Sequence, residues 1–275
     1  MVKVFAPAKI NLSLHVTGQR DDGYHMLDSL VVFVDFGDQI TAEAADQTRL
    51  AVTGPFAQGV PLGDSNLVVK AATACGFPMA LTLDKRLPPS SGIGGGSADA
   101  AATIRAAMRL GGPQMTSDHA LLLGADVPVC LTSTSARMQG VGDLLTPVKL
   151  PELHIVLVNP GVEVSTPAVF SRLERKDNHP MPEELPHWPD SLAFADWLGM
   201  QRNDLQSPAA KLAPEVAAVL VALALSPEVL LTRMSGSGAT CFAIYPDRFK
   251  AEAAAAQIAQ SNPWWWVKAA STLPA

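Results

Sequence analysis

Apolar and polar residues alternate without a break over residues 10–16. Ile10, Leu12, Leu14 and Val16 fall on one side of an extended chain, and Asn11, Ser13 and His15 fall on the other, with Lys9 on the polar side. A turn rich in Gly, Asp and Arg at 18–23 leads through Tyr24 and His25 to a second strand over 29–36, so an antiparallel pair opens the chain. Strands are predicted at 48–53 and 80–83, with a helix at 67–74 between them. A glycine-serine run at 90–97 passes directly into an alanine-rich helix ending near Leu110, and an apolar stretch follows at 120–131. The second half reads as a strand at 153–158, a helix at 167–173, a proline-rich loop at 179–189, and helices at 192–200 and 214–225. A strand at 230–234, a second glycine turn, a strand at 240–245, a helix at 247–261 and a strand at 265–270 complete it. This order predicts an α+β architecture of packed layers, with a domain boundary near Leu150 and Pro151. The run Trp264, Trp265, Trp266 reads as alternate core and surface packing on the last strand.

At 275 residues, 48% hydrophobic and 17% charged, the chain has enough apolar material for two cores and too much for disorder. Its apolar run at 216–225 stops at Ser226 and Pro227, too short for a bilayer. The N-terminal residues enter strand-like sequence without the basic region and apolar core of a leader, which predicts a cytoplasmic protein with no membrane partner. Cys75, Cys130 and Cys241 lie far apart in apolar surroundings, so buried thiols in a reducing compartment are expected and no metal site is predicted. A net charge of −6 disfavours an extended nucleic-acid surface, and an anionic small molecule then needs local positive charge.

Pro88, Pro89, Ser90, Ser91, Gly92, Ile93, Gly94, Gly95, Gly96 and Ser97 form a loop that opens onto a helix. Glycines let backbone N–H groups turn toward an anion, hydroxyls add donors, and the helix N-terminus adds partial positive charge. A flexible linker would not sit between a strand and a strong helix former behind two stiffening prolines. Two standard nucleotide motifs are excluded by spacing: no Gly-Lys-Ser/Thr follows, and Ser97 occupies the third glycine slot of a dinucleotide loop. Asp126 lies within one apolar segment and Lys9 near the start of another, so each needs a partner or an open site. Either they pair, or Asp126 caps a helix begun at Pro128 and Lys9 is a surface residue. In a kinase such a pair has a clear task, the carboxylate taking the proton of the attacking hydroxyl while the ammonium stabilises the charges. The second glycine turn, Ser235, Gly236, Ser237, Gly238 and Ala239, is either a plain connection or a source of N–H donors for a phosphate.

Three segments in order, residues 7–12, 88–98 and 235–239, resemble the three motifs of the galactokinase, homoserine kinase, mevalonate kinase and phosphomevalonate kinase (GHMP kinase) superfamily. Within it, residues 18–25 and 123–129 are similar to the branch acting on diphosphocytidyl-methylerythritol in the non-mevalonate isoprenoid pathway, and the likeness covers nearly the whole chain. The resemblance implies the GHMP kinase fold: a domain like ribosomal protein S5 domain 2 over residues 1–151 and a ferredoxin-like domain over 152–275. It implies phosphoryl transfer from ATP to the 2-hydroxyl of that small molecule, with Asp126 as general base and Lys9 as its electrostatic partner. Asn66, Lys85 and the loop 88–97 resemble the ATP side, with Mg²⁺ carried mainly by the nucleotide phosphates. Asn11, Tyr24, His25, Thr166, Phe170, Gly236, Ser237 and Gly238 match the substrate side, where Phe170 resembles an aromatic residue that stacks on cytosine. A monomer or weak homodimer is expected. The chain departs from the family pattern at residues 111–120, which are short, and at Ser90 and Ser91, which stand where glycines are frequent. Rival readings are a homoserine- or mevalonate-type kinase, or a non-catalytic S5-like binding protein, which the acidic charge disfavours.

Overall fold

The two opening strands, β1 (Val2–Gln19) and β2 (His25–Ala44), pair with each other and are the longest elements of the computed structural model, which describes residues 1–274. They are followed by β3 (Arg49–Thr53), α1 (Leu67–Ala74), β4 (Met79–Asp84), α2 (Gly95–Arg109), α3 (Ser117–Leu121), α4 (Val127–Thr132), β5 (Ala136–Gly140) and β6 (Leu144–Pro147). The second half contains β7 (His154–Asn159), α5 (Thr166–Phe170), α6 (Ser191–Gly199), α7 (Gln206–Leu212), α8 (Pro214–Ala224), β8 (Leu231–Met234), β9 (Cys241–Tyr245), α9 (Arg248–Ser261) and β10 (Trp266–Ser271). Two compact units interleave in sequence: Met1–Lys9, Phe36–Pro89 and Gly94–Ser133 form one, and Ile10–Asp35, Ser90–Ile93 and Thr134–Ala275 the other. The boundary expected near Leu150 and Pro151 lies in the segment between β6 and β7.

In the first unit β3 runs parallel to β4, and β4 runs antiparallel to the second half of β2, with Gln39 opposite Asp84 and Ala44 opposite Met79. Helix α2 packs against α1 and α4. Its contact surface is built from Ala98, Ala100, Ala101, Ala102, Ala106 and Ala107, all fully buried, and such small side chains let the backbones approach closely. Asn66 starts α1 by accepting the Val68 N–H on Oδ1 at 2.9 Å. At the end of α4, Arg105 Nη1 donates to the Cys130 and Leu131 carbonyls at 2.5 and 3.1 Å, and Ser133 turns left-handed to stop the helix.

In the second unit an antiparallel sheet has the order β10-β7-β9-β8, with α8 and α9 packed on it. Fourth, first, third and second strand in chain order is the ferredoxin-like arrangement. Val156, Val158, Val216, Val219, Leu223 and Tyr245 form its core, joined by Leu14 and Val16 from β1. Full burial of each such aliphatic side chain stabilises by about 1.5–3 kcal/mol. The first half of β2 pairs antiparallel with β5, Leu27 opposite Gly140, and β5 with β6.

The alternation in β1 is realised, but its polar side is not solvent-facing: Asn11, Ser13 and His15 are all buried. Asn11 Nδ2 donates to Ser29 Oγ at 2.8 Å, Ser29 Oγ donates to the Ser13 carbonyl at 2.6 Å, and Ser13 Oγ accepts the Leu30 N–H at 3.2 Å. A strand covered on both faces keeps polar residues only where each finds a partner. The tryptophan run also differs from expectation, since Trp264 precedes β10 and is 92% exposed, while Trp265 and Trp266 are half-buried. Among the described residues no single helix is long and apolar enough to cross a membrane.

Candidate active site

Lys9 and Asp126 meet. Lys9 Nζ lies 2.5 Å from Asp126 Oδ1, the lysine side chain 3% exposed and the aspartate 34%. Asp126 occupies the N-cap position of α4, yet its side chain makes no capping bond there. The partner reading of these two charges therefore holds over the capping one, in keeping with the cost of leaving a buried ammonium alone. Beside them Gly94 adopts a left-handed φ of 65° and starts the fifteen-residue α2 with no side-chain cap. The first N–H groups of a helix have no partner within it and carry partial positive charge. A Cβ on Gly94 would lie 3.1 Å from the Lys9 Cβ, so the glycine turn rests directly on the lysine. Ammonium, carboxylate and anion-receptive helix start thus form one cluster, with Gly95, Gly96 and Ser97 in its first turn.

Lys85 lies on the other side of that turn. Its Nζ donates to Asp38 Oδ2 at 2.5 Å and to Asp99 Oδ2 at 2.8 Å, all three side chains being buried. Burial opposes the lysine charge, but the two carboxylates outweigh it and hold its pKa above the ordinary value. Burial, against the pull of Lys85 and with that of Asp38, pushes the Asp99 carboxyl well above the usual carboxylate range. Asn66, assigned to the ATP side by resemblance, is tied to the chain: Nδ2 donates to the Pro61 carbonyl at 2.7 Å.

The second unit contains all eight of the expected substrate residues. Ser235 Oγ donates to the Gly92 carbonyl at 2.9 Å and accepts the Asn11 N–H at 3.0 Å. The Thr240 N–H donates to the Ser91 carbonyl, and Thr166 Oγ1 and Ser237 Oγ are 2.7 Å apart. Gly92, at φ +74°, admits no side chain, because a Cβ would come within 2.5 Å of the Ser235 carbonyl oxygen. Gly236 and Gly238 also have positive φ, and the turn is braced by Asn203, whose Nδ2 donates to the Met234 and Gly236 carbonyls at 2.8 Å each. His25 stacks on Phe170 with ring centroids 4.6 Å apart, whereas Tyr24, expected to share that role, is 65% exposed. His25 Nε2 is buried without a hydrogen-bond partner among the described residues.

Asp38, Asp99 and Asn203 escaped the sequence reading. Asp99 carried the one available signal, a charge among alanines just inside a helix, and the other two resemble ordinary turn residues until the fold places them. The three cysteines are free and buried, as expected, and burial pushes the Cys130 thiol up to about 12. A cavity of about 440 Å³ bordered by Arg137, Gln139, Lys149, His187 and Trp188 contains none of the expected site residues.

The family model of the GHMP kinases N terminal domain matches residues 66–143, spanning the glycine loop and Asp126, and that of the GHMP kinases C terminal domain matches residues 188–263. A curated relative from Cereibacter sphaeroides is 56% identical over 271 residues, 97% of this chain and 98% of its own length. The chain belongs to the GHMP kinases. As a GHMP kinase it is an ATP-dependent small-molecule kinase, and both halves of the family fold are present. The Cereibacter relative is named 4-diphosphocytidyl-2-C-methyl-D-erythritol kinase. A crystal structure of 4-(cytidine 5'-diphospho)-2C-methyl-D-erythritol kinase is 31% identical to this GHMP kinase with a TM-score of 0.81, covering 100% of both chains. Homoserine kinase from Cytophaga hutchinsonii shares the fold at 20% identity and a TM-score of 0.67, over 99% of this chain and 94% of its own.

Proposed function

We propose that this GHMP kinase transfers the γ-phosphoryl group of ATP to the 2-hydroxyl of 4-diphosphocytidyl-2-C-methyl-D-erythritol, a step of the non-mevalonate route to isoprenoid precursors. The observation that carries the chemistry is the Lys9–Asp126 ion pair beside the uncapped start of α2. The substrate reading is supported by the name of a relative 56% identical over nearly the full length.

In this mechanism Asp126 accepts the proton of the attacking hydroxyl. That oxygen bonds to the γ-phosphorus while the bond to the β–γ bridging oxygen breaks and ADP leaves. Lys9 stabilises both the carboxylate and the developing alkoxide, and a positioned general base contributes about 10²–10⁴ in rate. The N–H groups of Gly95, Gly96 and Ser97, together with loop residues 88–93, bind the phosphates, with Asn66 and Lys85 on the same side. Mg²⁺ carried by the nucleotide phosphates would supply positive charge against the charge that develops on the transferred group. Of the carboxylates near the glycine turn, Asp38 and Asp99 are buried on Lys85 and Asp126 is a third exposed, so Asp126 is the one open to a cation that would arrive on the nucleotide and keep several waters.

Cytosine recognition falls to His25, Phe170 and Tyr24. The Nε2 of His25, set against the Phe170 ring, is buried without a partner among the described residues, and a base edge that uncovers it would satisfy it. Asn11, Thr166, Gly236, Ser237 and Gly238 line the remainder of the substrate side. We assign residues 1–151 and 152–275 as the two sequence domains of a cytoplasmic monomer or weak homodimer.

The test is ADP release with the cytidylyl alcohol against homoserine, mevalonate and galactose, together with competition by CDP. Turnover confined to the cytidylyl substrate and inhibition by CDP are expected. Turnover of homoserine or mevalonate without CDP inhibition would transfer the chain to another branch of the family.

A further inference from the structure

Two buried carboxylates that the proposed mechanism does not use flank Lys85, and they are bonded very differently. Asp38 is saturated: Oδ2 accepts from Lys85 Nζ, and Oδ1 accepts the N–H groups of Arg86 and Leu87 at 2.5 and 2.8 Å. Asp99 meets Lys85 through Oδ2, and its Oδ1 is buried with no partner among the described residues. One ammonium cannot neutralise two carboxylates, so the negative charge settles where the donors are, on Asp38.

The N–H donors on Asp38 Oδ1 belong to the two residues immediately before Pro88 and Pro89, which have no N–H of their own. A Cβ on Gly95 would lie 3.1 Å from Lys85 Nζ and 3.6 Å from Leu87 Cδ1. Lys85 and Leu87, two of the three residues bonded by Asp38, therefore underlie the first residue of α2. We infer that Asp38 is a positioning residue for the nucleotide: it clamps Arg86 and Leu87 and holds the Lys85 ammonium under Gly95, so that the start of α2 is presented to the phosphates in one fixed orientation. This inference rests on the reading of the α2 start as the phosphate site. Asp99 fills space beside Lys85 and needs no charge to do so.

The two carboxylates separate the inference from a merely structural role. In Asp38→Asn the new NH₂ group faces donors that are already there. The Kd of a fluorescent ATP analogue and the KM for ATP should each rise about tenfold or more. The kcat at saturating ATP and the KM for the alcohol should stay within about twofold. In Asp99→Asn the amide oxygen can accept from Lys85 and the NH₂ takes the orphan position, so analogue affinity should stay within about twofold. Asp38→Asn with unchanged affinity in the folded enzyme, or Asp99→Asn equally damaging, overturns the inference. Should Asp38→Asn not fold, Gly95→Ala carries the test, because its methyl group displaces the Lys85 ammonium from below; unchanged analogue affinity there overturns the inference as well. Analogue binding is read with no alcohol present, so the result does not depend on which substrate the enzyme phosphorylates.

Discussion

Lys9 and Asp126 share an ion pair but not an environment: the ammonium is closed off from solvent, and a third of the carboxylate is open to it. A ligand can reach the aspartate while the lysine stays fixed behind it, which is the arrangement a proton acceptor needs. Asp126→Asn preserves size and removes the basic oxygen. Turnover should fall by about a hundredfold or more, with ATP and substrate affinities within about twofold. Steady-state kinetics with calorimetric binding checks this, and a variant with more than half of the wild-type rate removes Asp126 from the role.

Gly94 combines a φ of 65° with a Cβ position 3.1 Å from the Lys9 side chain. Gly94→Val meets both obstacles, since a β-branched residue resists that φ at a cost of order 1–3 kcal/mol and its bulk presses on Lys9. ATP affinity should drop about tenfold or more in protein that still folds. Unchanged ATP binding by calorimetry would mean that this turn is not the phosphate cradle.

Phe170 is half-buried, touches the core of the second unit and stacks on His25. Loss of its ring in Phe170→Ala should raise the KM for the cytidylyl substrate about tenfold, the worth of roughly 1–3 kcal/mol of base stacking, and leave the KM for ATP near its original value. Kinetics and thermal melts on the same variant decide between pocket and core. A large fall in Tm with unaltered substrate dependence makes Phe170 a packing residue.

His15 is held neutral by its neighbours. Nδ1 lies 3.2 Å from the His179 carbonyl oxygen, and Nε2 accepts the Arg202 N–H at 3.1 Å, a bond that protonation destroys. Burial and the Arg202 charge pull its pKa below the ordinary 6.5. On acidification the unfolded chain takes this proton first, so stability should be full above 6.5 and decline as pH falls toward the lowered native value. His15→Gln should flatten that part of the Tm-against-pH curve. An unchanged slope would show that another group governs it.

The sequence was readable where one residue carries its own evidence. Alternation at 10–16 placed Leu14 and Val16 on a core face, and charges stranded in apolar segments singled out Lys9 and Asp126. It was not readable where the evidence belongs to a distant partner. Ser13 looks like a surface serine until Met181, 168 positions later, covers it. Asp38 looks like part of a turn until Lys85, 47 positions on, reaches it. Short elements such as α3 and β6 lack the length for a period to show.

The opening strands also impose an order on folding. Ser271 donates its N–H to Asp35, 236 positions earlier, and the Leu273 N–H bonds to the Phe33 carbonyl at 2.8 Å. Residues 33–35 of β2 thus wait for 236 further residues before this part of their edge is closed. In the interval an apolar ribbon with unsatisfied backbone groups is available to other nascent chains. Loop closure over such distances slows folding as well. Covering residues 33–35 until residues 271–273 arrive should therefore raise the fraction of chains that reach the folded state.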